Sequence, residues 1–318
     1  MKNILAADIG GTNSRFAHFT IDEAGELTLA AARWLETRKS NSLSHLLQLL
    51  NQSEFSLAVD QSDFAVLAVA GPVSNGVYSN PPNIPWDIDL SGELESFDPM
   101  RCLLVNDFVA QAYACRSPII QSARQIIPGQ IDPGAALAVI GAGTGLGMAA
   151  LAPDGDGGYV AVPSEGGHCV FPFESRAEFD FMQFVMDELD APYVETEFIV
   201  SGRGLSLIHQ YLAGEKLTPA EVSAAVAHDS ETLEWAARFY GRACRNYALQ
   251  VLARGGVYIA GGVAAKMPLL VTHPAFERQF THSKTMASLL RKIPVYLNAN
   301  EESGLWGAAF LAAQKLKQ

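Results

Sequence analysis

Positive charge is scarce in this chain. Its 318 residues carry 22 Lys and Arg against 34 Asp and Glu, a formal net charge of −12. Charged residues of both signs make up only 18%, below the roughly 25% usual in soluble domains. A nucleic-acid backbone or an anionic membrane surface is met by clustered Lys and Arg, so neither class of partner is expected. Cysteine is sparse as well. Cys102, Cys115, Cys169 and Cys244 form no C-x-x-C pair, which excludes a disulfide framework or a cysteine metal cage and predicts reduced, half-buried thiols in a cytoplasmic protein. Residues 133–153 lack any ionisable side chain, but Gly134, Gly141, Gly143, Gly145 and Gly147 interrupt the run. The cluster Gly141-Ala142-Gly143-Thr144-Gly145 splits it into two short apolar pieces and predicts a buried hairpin rather than a membrane span. The opening run from Met1 is too short for a signal peptide and is broken by Asp8. No G-x-x-x-x-G-K-[ST] is present, which removes the P-loop NTPases, and Leu146 stands where the dinucleotide fingerprint from Gly141 needs its third glycine.

Hydrophobic residues are plentiful at 49%, which excludes a disordered chain and supports large buried cores. The length suits about two domains of roughly 150 residues. Ile4 to Ile9 reads as a strand, Gly10-Gly11-Thr12 as a turn, Ser14 to Ile21 as the returning strand and Leu27 to Leu35 as a third. Leu43, Leu46, Leu47 and Leu50 have helical spacing; strands follow at 64–70 and 102–105, and a helix opens at Asn106-Asp107. A second set begins at Ala135 with strand, Gly-rich turn and strand, and another strand near Val160. Helices follow at 177–189, 204–212, 219–227 and 231–252, with Gly255-Gly256 expected to close the last. Strands at 257–260 and 295–297 and a closing helix at 304–316 complete the pattern. Alternating strands and helices predict an α/β class. Asp8-Ile9-Gly10-Gly11-Thr12 is echoed by Gly141-Ala142-Gly143-Thr144-Gly145. This weak internal repeat predicts two similar lobes with an interdomain cleft, a favoured ligand site.

Several residues could carry chemistry, and each has a structural alternative. The glycines of the turn at Gly10 and Gly11 let backbone N–H groups approach a phosphate, Thr12 adds a hydroxyl, and Asp8 could hold a water of a Mg²⁺ shell. The same residues would serve a plain hairpin turn. The second turn, at Gly143-Thr144, could grip the same phosphate chain from the other side. Asn106-Asp107 could cap a helix, or Asp107 could accept the proton of an attacking hydroxyl. Glu165, Gly166, Gly167 and His168 place an acid and an imidazole in a turn, groups suited to sugar hydroxyls; no second metal ligand lies at a suitable spacing. Glu197 could reach a ligand or face solvent, with Glu195 as a nearby competitor, and Ser201 could cap the helix that follows. Gly261-Gly262 could let an adenine ring lie on backbone, or form an ordinary turn.

Taken together, these motifs resemble the bacterial glucokinases of the non-repressor type, within the actin/hexokinase/heat-shock ATPase superfamily. The resemblance runs through Asp8-Ile9-Gly10-Gly11-Thr12-Asn13, Asn106-Asp107-Phe108 and Gly141 to Gly147. It continues through Glu165-Gly166-Gly167-His168, Ser201-Gly202 with Gly204-Leu205, Ala260-Gly261-Gly262-Val263, Gly304-Leu305 and Gly307. It implies a duplicated ribonuclease-H-like (actin-like ATPase) fold, with a small domain of residues 1–106 plus 301–318 and a large domain of residues 107–300. The implied activity is phosphorylation of glucose by ATP at the 6-hydroxyl, the entry to glycolysis, in a cytoplasmic homodimer that uses Mg²⁺. By the same resemblance Asp107 is the base. Asn106, Asp107, Glu165, His168 and Glu197 hold the sugar. Ala7, Asp8, Ile9, Gly10, Gly11, Thr12, Gly143, Thr144, Gly261 and Gly262 hold the nucleotide, and Asp8 holds Mg²⁺ through water. The alternatives are a kinase for mannose, N-acetylglucosamine or a small acid, a sugar-responsive regulator, and an actin- or chaperone-like ATPase. The related repressor family carries a cysteine-rich zinc motif and an N-terminal DNA-binding helix pair. Here only Cys169 lies near the Glu165–His168 pair, and the first strand begins at Ile4.

Overall fold

The computed structural model describes residues 1–57, 59–92 and 101–317. The strands are β1 (Lys2–Ile9), β2 (Asn13–Ile21), β3 (Leu27–Glu36), β4 (Phe64–Val69), β5 (Tyr78–Ser79), β6 (Ile88–Asp89), β7 (Cys102–Asn106), β8 (Arg124–Ile127), β9 (Leu137–Ala142), β10 (Leu146–Pro153), β11 (Tyr159–Ser164), β12 (Val257–Ala260) and β13 (Val295–Leu297). The longer helices are joined by short ones: α1 (Leu43–Gln52), α2 (Asp107–Ala114), α3 (Arg176–Leu189), α4 (Thr196–Ile199), α5 (Gly202–Ala213), α6 (Pro219–Ala225), α7 (Glu231–Gln250), α8 (Gly262–Lys266), α9 (Leu269–Thr272), α10 (Pro274–Thr281), α11 (Ala287–Leu290) and α12 (Ser303–Lys315).

The chain divides into two units. The first comprises Met1–Gln121, Asp154–Pro163 and Asn300–Gln318; the second comprises Ser122–Pro153 and Ser164–Ala299. This differs from the expected boundaries at 106 and 301. Helix α2 lies in the first unit, because its inner face packs on α12 and β4 of that unit.

In the first unit the sheet order is β3-β2-β1-β4-β7, with β1 antiparallel to β2 and parallel to β4, and β4 parallel to β7. β4 is buried on both faces, as its unbroken Phe64–Val69 apolar run requires. Leu43, Leu46, Leu47 and Leu50 of α1 are buried in the core with Leu5, Ile9, Phe16 and Leu67. The Ser42 hydroxyl caps α1 by accepting from the His45 N–H at 3.1 Å.

In the second unit β10-β9-β12-β13 repeats the order and polarity of β2-β1-β4-β7: an antiparallel hairpin, then two parallel neighbours. The duplication read from two short glycine turns therefore extends to four strands of each sheet. The span 133–153 forms the expected buried hairpin, with Ala142 opposite Leu146. Around this sheet Phe171, Phe181, Trp235, Phe239 and Phe276 build an aromatic core. Gly255-Gly256 does not close α7. The helix ends at Gln250 and the chain turns through Leu252 at φ 50°. Gly255 instead lets the backbone pass the carbonyls of Ala135 and Ala136, 2.8 and 2.9 Å from where a Cβ would stand, on the way into β12.

Candidate active site

The first hairpin turn is tight: the Gly10 N–H donates to the Asn13 carbonyl at 3.1 Å. Gly11 leaves no room for a side chain, since a Cβ there would lie 2.8 Å from the Cβ of Asn83 and closer still to its carbonyl oxygen. The proline-rich loop around Pro81-Pro82 thus packs directly on the turn. Ala7 and Ile9 point into the core, while Thr12 is exposed and Asp8 half-buried. Burial pushes the Asp8 carboxyl above the usual carboxylate range, and Arg15, opposite it on β2, pulls it partly back.

Asn106 and Asp107 stand where β7 passes into α2. The Asn106 side-chain carbonyl accepts from Phe108 N–H at 2.9 Å and from Val109 N–H at 3.3 Å, so it is a helix cap. Its Nδ2 donates to the Gly71 carbonyl at 3.1 Å. Asp107 Oδ1 accepts from the Phe108 N–H at 2.9 Å. Helix α12 braces this corner. A Cβ on Gly307 would fall on the Ala110 carbonyl, and one on Gly304 would lie 3.5 Å from both Asp8 Oδ2 and Gln111 Nε2. One helix therefore sets the height of both candidate carboxylates of the first unit.

The second hairpin turn closes with Gly143 N–H donating to the Gly145 carbonyl at 2.8 Å. The Tyr240 hydroxyl accepts from Ala142 N–H at 3.2 Å and fixes the end of β9 from α7. The Gly202 N–H, at the start of α5, donates to the Gly143 carbonyl at 3.1 Å. Ser201 caps that helix through the Gly204 N–H at 3.2 Å, as its place in the sequence implied. An open cavity of about 860 Å³ brings together Gly143, Thr144, Gly202, Arg203, Gly262 and Lys266. Gly261 has φ +85°, and a Cβ there would stand 2.5 Å from the Ala142 carbonyl. It is confined to glycine by the close approach of β9, while Gly262 opens onto the cavity. The positive side chains of Arg203 and Lys266 beside this glycine-lined cavity suit a phosphate-bearing ligand.

Glu165, His168 and Glu197 gather in the same unit. Residues Gly166–His168 form one short turn packed on β10, with no space for a Cβ at Gly167 against the Leu146 carbonyl. His168 Nε2 lies 3.9 Å from Glu165, and its Nδ1 lies 3.9 Å from Glu197. The residue nearest the imidazole is Glu195, at 2.8 Å from Nδ1, which the sequence offers only as a competitor of Glu197. Its partner lies 27 positions away, so no local spacing could reveal the pair. His168, Glu195 and Glu197 present ligand atoms within 4.8 Å of one another, a grouping able to take a cation. The short contact to Glu195 already satisfies Nδ1. Glu197 also abuts the second hairpin: its Oε2 is 2.5 Å from where a Gly145 Cβ would stand. The thiols play no visible part. Cys102, Cys115 and Cys244 are buried, Cys169 is exposed, and all four are free. Among the described residues no helix is long and apolar enough to cross a membrane.

Comparison with known proteins covers the same ground. The family described as Glucokinase matches residues 5–315. A glucokinase of Nostoc punctiforme is 30% identical over 346 residues, spanning 99% of this chain and 100% of that protein. Among solved structures, a glucokinase from an Antarctic psychrotroph superposes with a TM-score of 0.83 at 28% identity, covering 99% of both chains. A ROK family glucokinase from Streptomyces griseus, solved in complex with glucose and AMPPNP, superposes with a TM-score of 0.61 at 18% identity, over 98% of this chain and 99% of that one. At that identity the likeness speaks for the fold. The duplicated actin-like fold expected from the sequence is the fold of this chain.

Proposed function

The chain belongs to the glucokinase family of ATP-dependent glucose kinases, and we propose that it transfers the γ-phosphoryl group of ATP to the 6-hydroxyl of glucose with Asp107 as the base. The observation that carries the assignment is the placement of Asp107. Its carboxylate is fixed at the start of a capped helix by the Phe108 N–H, on a helix braced by α12. In the reaction the O6–H proton passes to the Asp107 carboxylate as O6 bonds to the γ-phosphorus. The bond from that phosphorus to the bridging oxygen breaks, and ADP departs with the electron pair. Transfer of this kind depends on positioning and charge stabilisation, to which base assistance adds about 10²–10⁴-fold.

The other roles follow from donor and acceptor inventory. Asn106 has spent its carbonyl on the helix and one Nδ2 hydrogen on Gly71, which leaves its second amide hydrogen for a sugar oxygen. Glu165 and Glu197 accept from hydroxyls and His168 completes the set. The backbone of Ala7 to Thr12 and of Gly143-Thr144 takes the ATP phosphates, and Gly261-Gly262 takes the adenosine. The cavity of about 860 Å³ lined by Gly143, Thr144 and Gly262 supports this reading. Asp8 would hold Mg²⁺ through water. A carboxylate whose pKa is raised by burial gains from a nearby cation, and the ion supplies neutralisation of the phosphate oxygens. We further assign the chain to the cytoplasm, as a homodimer acting at the entry to glycolysis, in keeping with the family resemblance.

ADP release measured with glucose, mannose, N-acetylglucosamine and no sugar tests this function. Glucose should give the highest kcat/KM, with little turnover when sugar is omitted. A preference for another sugar would reassign the acceptor. Sugar binding without turnover would mark a regulator, and sugar-independent ADP release an ATPase.

A further inference from the structure

We propose that Glu195 is a positioning residue of the sugar site: by accepting the Nδ1 hydrogen of His168 it fixes the imidazole ring and reserves Nε2 for a sugar hydroxyl. The inference deepens the kinase reading and rests on it.

Three observations support it. The first is the contact itself, 2.8 Å between His168 Nδ1 and Glu195 Oε2, far shorter than the 3.9 Å distances to Glu165 and Glu197. The second is the way Glu195 is anchored. The Thr196 N–H and hydroxyl both donate to the Cys169 carbonyl at 2.8 Å, and the Phe171 N–H donates to the Val194 carbonyl at 2.9 Å. Val170 also pairs with Glu195 as an isolated antiparallel bridge. The segment bearing Glu195 is thus tied by its backbone to the segment bearing His168, and the two side chains meet in fixed register. The third is exposure. The Glu195 side chain is 18% exposed against 56% for His168, so the acid is the more buried partner and the ring the more exposed one.

The chemistry gives the arrangement a purpose. Glu165 and Glu197 can only accept hydrogen bonds when ionised. A hydroxyl that donates its single proton to one of them leaves its oxygen seeking a donor. A neutral imidazole held by Glu195 at Nδ1 offers only a lone pair at Nε2; the imidazolium offers N–H. The groups facing the ring are Glu165 from its own turn and Glu195 and Glu197 from α4 and its cap. The hydrogen bond to Glu195 and the nearby charges of Glu197, Glu195 and Glu165 raise the His168 pKa above its ordinary value, against an opposing effect of burial. The donor form therefore persists to higher pH, and sugar binding weakens as the pH rises through the His168 pKa.

The test uses Glu195→Gln and Glu195→Ala in the full-length chain. Glucose KM and kcat are followed from roughly pH 5.5 to 9, about one unit below and 2.5 units above an ordinary histidine pKa, alongside NMR titration of the His168 imidazole. In Glu195→Gln the His168 pKa falls and the rise in glucose KM begins at lower pH. In Glu195→Ala the KM at neutral pH rises by about tenfold, with a smaller change in kcat. Kinase activity with an unmoved His168 pKa and an unmoved KM profile in both variants would overturn the role of Glu195 alone. So would glucose binding to the nucleotide-free protein that is lost to a chelator, which would make the cluster a metal site. Absence of glucose-dependent ADP release from the unaltered protein would instead sink the kinase reading.

Discussion

The Asn106 side chain is committed in two directions: its carbonyl to the Phe108 and Val109 N–H groups and its amide to Gly71. A cap and a sugar contact are not competing readings of this residue, because an amide has enough donors and acceptors for both. Asn106→Ala should lower stability by about 1 kcal/mol through loss of the cap and raise the glucose KM. Urea denaturation, read beside steady-state kinetics, checks the pair of effects; an unchanged urea midpoint would remove the cap from the account. Asn106 was legible as a cap because the N–H groups its carbonyl accepts from lie within three positions, whereas its bond to Gly71, 35 positions away, was not. Glu165 and His168 were legible for the same reason. Glu195 was not, since the bond that gives it meaning forms only when the chain returns 27 residues later. The same holds for Gly145, whose missing Cβ makes room for Glu197.

Helices α2 and α12 meet where Gly307 sits against the Ala110 carbonyl. Any side chain at Gly307 must push the backbones apart, and α2 carries Asp107 on its first turn. Gly307→Ala should cost about 1–3 kcal/mol by overpacking and reduce kcat along with stability. Thermal unfolding and kcat on the same preparation test this; a variant with lowered stability and full kcat would show that α12 does not position α2. At this scale the sequence exposed whatever had a full period. The β1–β2 hairpin, α1, α3 and α5 all fell within a few residues of their expected bounds. The segment between 262 and 294 was silent: α8, α9, α10 and α11 have 4 to 8 residues each, too few to display a helical stripe. The end of α7 fell two residues short of the expected 252, but Gly255-Gly256, which looks like its stop, does not close it; steric contact with Ala135 and Ala136 is what requires glycine at 255.

Four strands of each sheet share one order and polarity, and this is the feature of the whole molecule that the paired glycine turns announced. The α/β class and the duplication were readable because each copy begins with the same apolar strand, glycine turn and returning strand. The boundaries between units were not. Asp154–Pro163 leaves the run of the second unit to join the first, through tertiary hydrogen bonds such as Tyr159 N–H to Gln314 at 2.9 Å. A ligand that binds only the native state stabilises it, by about 2.7 kcal/mol at one hundred times its Kd. Glucose at that concentration should therefore raise the unfolding midpoint, and a poorly bound sugar should raise it less. An unfolding midpoint indifferent to glucose would argue against a glucose site in the folded chain.

The central claim is that the Asp107 carboxylate removes the proton of the attacking hydroxyl. Its most direct test is the turnover of Asp107→Asn at saturating glucose and ATP, with glucose affinity measured by calorimetry on the same protein. The account predicts a kcat lower by about 10²-fold or more with glucose still bound. A variant that binds glucose and turns over at the rate of the unaltered enzyme would contradict it.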